Sequence, residues 1–135
     1  MLNFYYYDTA TGRVLARGSY DERGDGAAAR AIAVGTINPS TEYAPAGVKT
    51  ARPLFAPALA IDKLAILADA TDQATISNIT AGTIAKIYKD QDALPRAVAT
   101  VNDGALAVRA DTAGAYLIVL SNFPAQEQSF TVQAT

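Results

Sequence analysis

Apolar and polar residues alternate in short runs along most of this chain, with a period of two and not of a helix. From residue 60 onward the runs are evenly spaced. Residues 61–68 read as one strand and 69–72 as a turn. Residues 73–79 form the next strand, with Ala74 and Ile76 on one side, and Thr80-Ala81-Gly82 turns the chain. Residues 83–89 set Ala85 and Ile87 against Ile84, Lys86 and Tyr88 on the other face. Residues 90–95 are a polar loop and 96–101 a fourth strand. Asn102-Asp103-Gly104 accepts positive φ and predicts a hairpin into 105–109, with Leu106 and Val108 inward. Residues 115–120 are apolar on both faces, as a central strand requires. Asn122-Phe123-Pro124 breaks that run. Residues 129–135 place Phe130, Val132 and Ala134 on one face. Seven short strands at this spacing fit a sandwich and not a helical or α/β fold.

The stretch Asp111-Thr112-Ala113-Gly114-Ala115-Tyr116 leads into the central strand. A turn-forming Asp, a Gly, and a Tyr two residues after the Gly suggest the tyrosine corner of an immunoglobulin-like sandwich. Asp111, Gly114 and Tyr116 define that corner.

The N-terminal part has a different texture. Residues 2–7, with Phe4, Tyr5, Tyr6 and Tyr7, are dense in strand-forming aromatics. Residues 8–12 supply a turn with Gly near its end, and 13–20 alternate. This predicts a β-hairpin, which alone is marginal in water and needs a surface to pack on. Residues 21–30 read as a loop. Residues 31–58 read as an extended arm, with a short strand at 31–35, a turn at Asn38-Pro39-Ser40-Thr41, and a small hairpin around Pro45. Pro53 and Pro57 disfavour helix there, and Leu54 and Phe55 are the arm's anchoring side chains. The expected fold is all-β. Residues 1–58 form a β-hairpin plus extended arm, and residues 59–135 an Ig-like β-sandwich.

Composition narrows the chemistry. The chain has 135 residues, half of them apolar, and no Cys, His or Trp. Disulfides, thiol nucleophiles and Ser-His-Asp triads are excluded by inventory, and so are zinc and haem sites that need Cys or His. A sandwich built from this chain lacks the inter-sheet disulfide and buried Trp of antibody domains. The net charge is −2 and the charges are dispersed, so no nucleic-acid partner is expected. The apolar runs are too short for a bilayer helix, so no membrane partner is expected. The N-terminus lacks a secretory pattern, which points to synthesis in the cytoplasm.

Three motifs invite a functional reading. Asp21, Glu22 and Asp25 offer oxygens for calcium, but their spacing is not that of an EF-hand loop, and the terminal bidentate Glu is missing. A solvated turn is the plainer reading, and Arg23-Gly24-Asp25 is read as a chance triplet. Asp69 and Asp72, and Asp90 and Asp92, are paired carboxylates of the kind used in glycoside hydrolysis. Asp is commonplace in turns, where its side chain caps local backbone, and that reading is preferred. Asn78-Ile79-Thr80 matches a glycosylation sequon without a secretory context. No catalytic, cofactor-binding or metal-binding residue is assigned, and no cofactor.

The order of motifs carries a resemblance. Phe4-Tyr5-Tyr6-Tyr7-Asp8 with Thr11-Gly12 comes first. Gly35-Thr36-Ile37-Asn38-Pro39-Ser40-Thr41-Glu42-Tyr43, Gly47-Val48 and Arg52-Pro53 follow. Ala68-Asp69, the segment 74–79, Ala81-Gly82-Thr83, Asp103-Gly104 and Gly114-Ala115-Tyr116 complete the set. Taken in order, the chain resembles small phage tail and tail-fibre-associated proteins, and departs from them in the Ala-rich stretch 27–31. The resemblance implies a non-enzymatic structural protein of the virion, made in the host cytoplasm. It implies contacts with other virion proteins and with further copies of the chain. Candidate subunit contacts are Phe4, Tyr5, Tyr6, Tyr7, Leu54 and Phe55. Two alternatives stay open: a capsid decoration protein, and an Ig-like carbohydrate-binding or adhesion module. The latter would use the tyrosines and the loops at 90–95 and 121–128 on a host surface glycan, although alternating burial in the hairpin is the plainer reading of Tyr5-Tyr6-Tyr7.

Overall fold

A computed structural model describes residues 2–20 and 30–135, with side chains for residues 5–17 and 35–135. The chain divides into two compact units, Met1–Pro53 and Leu54–Thr135. The carboxylates of Asp21, Glu22 and Asp25 and the Arg23-Gly24-Asp25 triplet lie outside the described residues.

In the first unit β1 (Leu2–Asp8) and β2 (Val14–Tyr20) form the expected antiparallel hairpin. Asp8 closes its turn: the Gly12 amide donates to the Asp8 carbonyl, and Asp8 Oδ1 accepts from the amides of Ala10 and Thr11. The register shifts between Tyr6 and Tyr7, and the residue left over, Leu15, stands exposed. A third strand, β3 (Arg30–Val34), pairs with the other edge of β1, giving the order β2-β1-β3. The start of the expected arm is therefore part of the hairpin's own sheet, which brings it to three strands. The Asn38 turn forms as read, with the amides of Thr41 and Glu42 both donating to the Asn38 carbonyl. A miniature hairpin of β4 (Glu42–Tyr43) and β5 (Thr50–Ala51) follows, carrying a 3₁₀ turn at Pro45–Gly47.

The second unit is a two-sheet sandwich. Its strands are β6 (Ala60–Ile61), β7 (Ala65–Ile66), β8 (Gln73–Ser77), β9 (Thr83–Lys89), β10 (Ala97–Val101), β11 (Ala105–Arg109), β12 (Gly114–Ser121) and β13 (Gln128–Ala134). One sheet runs β10-β9-β12-β13-β7 and the other β11-β8-β6. This is the immunoglobulin-like order: β6, β8 and β11 stand where strands A, B and E stand, and β9, β12 and β13 where C, F and G stand. β10 extends the second sheet in the place of C′. Ala74, Ile76 and Val108 from the small sheet meet Ala85, Ile118, Leu120 and Val132 from the large one in a single buried core. Phe55 and Leu59 belong to that core. Thr83, the buried polar residue among them, donates its hydroxyl to the Thr80 carbonyl at 2.7 Å.

Two strand readings are corrected. Residues 61–68 are two short strands in different sheets, not one. Asp62 takes the place of a ladder residue at the crossing: its amide donates to the Thr75 carbonyl, and its Oδ1 accepts from the Thr75 amide at 2.7 Å. The chain then leaves β8 and runs parallel to β13. The Asn102-Asp103-Gly104 turn has the expected positive φ at Gly104, yet it joins β10 and β11 across the two sheets and is no hairpin. Its bonds go to the neighbouring loop, where Asn102 Oδ1 accepts from the Gly82 amide and the Gly104 carbonyl from the Ile79 amide.

Candidate functional site

The tyrosines of β1 alternate as a strand dictates, with Tyr5 and Tyr7 on one face and Tyr6 on the other. The face carrying Tyr5 and Tyr7 is covered by its own unit. Tyr5 is only 3% exposed and packs with Ile37 and Ala44, while Tyr7 and Val14 lie against the same cluster. The Tyr5 and Tyr7 rings are tilted 54° to one another at 6.2 Å. The Tyr5 hydroxyl donates to the Gly47 carbonyl at 3.0 Å. A side chain at Gly47 would meet the Tyr7 hydroxyl at 2.6 Å, so the 3₁₀ turn lies directly on these rings. Burial, followed by the neighbouring Tyr7 and Glu42, raises the Tyr5 hydroxyl above its ordinary pKa.

This changes the list of contact candidates. Tyr5 and Phe55 are buried within their own units, so neither presents a ring to another chain or to a sugar face. Tyr6 and Tyr7 are half-buried. Leu54 is 73% exposed, the outward neighbour of the inward Phe55. The Phe4 side chain lies outside the described residues. Strand alternation separates Tyr6 from Tyr5 and Tyr7, but nothing local signals Ile37, Ala44 and Gly47, which come from a distant turn.

The paired carboxylates serve turns. Asp69 Oδ1 accepts from the amides of Thr71 and Asp72. Asp72 accepts from the Leu67 amide and from Lys63 Nζ. Both acids sit below the ordinary carboxyl range: Asp69 through the Asp72 and Thr71 amides, Asp72 first through Lys63 and then through the Leu67 amide. A general acid for glycoside cleavage needs the opposite shift. Asp90 Oδ1 accepts from the Ala115 amide, and Asp92 Oδ2 from Arg96 Nε at 2.9 Å. The side-chain amide of Asn78, in the sequon, donates to the Ala58 carbonyl. Among the described residues no group of three or more acidic residues gathers to hold a metal ion.

The corner forms around Tyr116, whose hydroxyl donates to the Thr112 carbonyl at 2.8 Å. Asp111 is exposed in the preceding turn. Gly114 has a local reason: an added side chain would meet Lys89 Cε at 2.8 Å and Asp90 Oδ1 at 3.0 Å. The Lys89–Asp90 backbone must pass there, because the Asp90 amide donates to the Ala115 carbonyl.

Among the described residues no helix is long and apolar enough to cross a membrane. Compared with protein-family models, with curated proteins and with solved structures, the chain matches none.

Proposed function

We propose that this chain is a non-enzymatic structural protein of a phage virion, a tail, tail-tip or fibre-attachment component. The observation that carries the reading is the pairing of two separately compact units, a sandwich with its own core and a sheet unit ahead of it. That is the layout of a rigid module with an attachment element. The motif order along the chain supports the placement in phage tails. The carboxylates at 69, 72, 90 and 92 support a role without catalysis, because each is engaged in holding a turn or an ion pair.

The N-terminal unit is the attachment element in this reading, with Tyr6 as its contact to neighbouring subunits; the exposed Leu54, first residue of the second unit, is a further contact. Imaging labelled protein on intact phage particles tests it. Label at the tail supports the reading. Label on the head favours a decoration protein, and particles without label overturn both.

A further inference from the structure

We infer that the free edge of β10 is a self-association surface, on which a second copy of this chain adds its own β10 in antiparallel register about a two-fold axis. β10 is the outer strand of the five-stranded sheet. Four of its residues, Ala97 to Thr100, are exposed, Val98 by 60%. An open edge normally carries a charge, a proline or a bulge that blocks pairing, or is kept very short. The other edges of the sandwich follow that rule: β6 and β7 have two residues each, and β11 ends in Arg109. Ala97-Val98-Ala99-Thr100-Val101 carries no charge and no proline.

The backbone sets the register. The Val101 carbonyl accepts from the Gly82 amide on the β9 side, and Ala97, Ala99 and Val101 stand opposite Ile87, Ala85 and Thr83; Arg96, ahead of the strand, departs from the alternation by donating to the Ile87 carbonyl. Alternation then turns the amides and carbonyls of Val98 and Thr100 to the open side. These two residues pair with each other across a two-fold axis through Ala99, so each Val98 exchanges both backbone bonds with Thr100 of the second copy. The same register runs Arg96, which holds Asp92 of its own copy, toward Asn102 and Asp103 of the second copy, so each end of the interface offers the guanidinium a second carboxylate. Alanine at the axis leaves room for the close approach of a non-hydrogen-bonded pair. A closed two-fold pair consumes both edges and stops there. A foreign strand could use the same hydrogen bonds, but this register and the charge match at both ends single out a second copy. The inference is independent of the virion reading, since it concerns the purified chain in solution.

Sedimentation velocity of the full chain and of Val98→Pro tests it, together with two single-cysteine variants. The Val98 amide faces outward, so proline there removes the intermolecular donor and leaves the ladder to β9 in place. The wild type is expected to sediment as a dimer, and Val98→Pro as a monomer with unchanged circular dichroism. The chain has no cysteine of its own. In the dimer the two Ala99 Cα atoms lie about 4.5 Å apart, within disulfide range. Ala99→Cys is therefore expected to give a covalent dimer under mild oxidation, and Ala107→Cys on β11 to stay monomeric on a denaturing gel. The cysteine pair decides the matter if Val98→Pro fails to fold. A monomeric wild type, a dimer that survives folded Val98→Pro, or equal cross-linking of both cysteine variants overturns the proposal.

Discussion

The Tyr116 hydroxyl reaches back four residues to the Thr112 carbonyl at 2.8 Å, with the Thr112 hydroxyl 3.0 Å away. Tyr116 is 8% exposed, and this bond is partly shielded from water. It ties the turn after β11 to the central strand β12, whose neighbours are β9 and β13. Tyr116→Phe keeps the ring and removes the donor. We expect a loss of about 1 kcal/mol in urea denaturation of the sandwich. An unchanged midpoint would remove the corner from the list of stabilising features.

Gly12 makes a similar prediction for the first unit. Its φ is +78°, and an added Cβ would lie 2.4 Å from the Pro45 nitrogen and 2.6 Å from the Ala44 carbonyl carbon. Both obstacles are backbone, and the Ala44 amide is bonded to the Gly12 carbonyl at 2.6 Å. Gly12→Ala is expected to destabilise this unit by about 2 kcal/mol or more, through left-handed strain and the clash together. Amide hydrogen exchange checks it: protection should fall in β1 and β2 and stay unchanged in β9 and β12.

Acid should weaken the sandwich through Asp72. Its carboxyl is held below the ordinary value by Lys63 and the Leu67 amide, so its contribution is present above the unfolded Asp value. The contribution is lost as pH falls through the lower folded value. Lys63 is shifted upward by Asp72, so its side of the pair is lost only as pH rises through a value above that of ordinary lysine. Stability should be flat on this account at neutral pH and fall in acid, less steeply in Asp72→Asn. Carboxyl titration by NMR should put the Asp72 midpoint below that of a free aspartate. A midpoint at or above it would contradict the Lys63 pairing.

The alternation of apolar residues made most of the sandwich legible. Ala74, Ile76, Val108 and Val132 are buried as their strand patterns require, and β12 is the central strand that its two apolar faces demanded. What stayed hidden is non-local. Residues 61–68 look continuous until the Thr75 backbone claims the Asp62 side chain. Asn102-Asp103-Gly104 has hairpin chemistry, but turn chemistry does not say whether the strands on either side share a sheet. Alternation in the hairpin predicts burial of one tyrosine face but not what buries it, because the turn that covers Tyr5 and Tyr7 is more than thirty residues away, at Gly47.

The structural role in a virion is tested most directly by purifying phage particles from cultures that produce this chain. The particles are sedimented through a density gradient, washed in high salt, and assayed for the chain by mass spectrometry. The account predicts that the chain travels with intact particles and stays with them through the wash. A chain found only in the soluble fraction at the top of the gradient would contradict it.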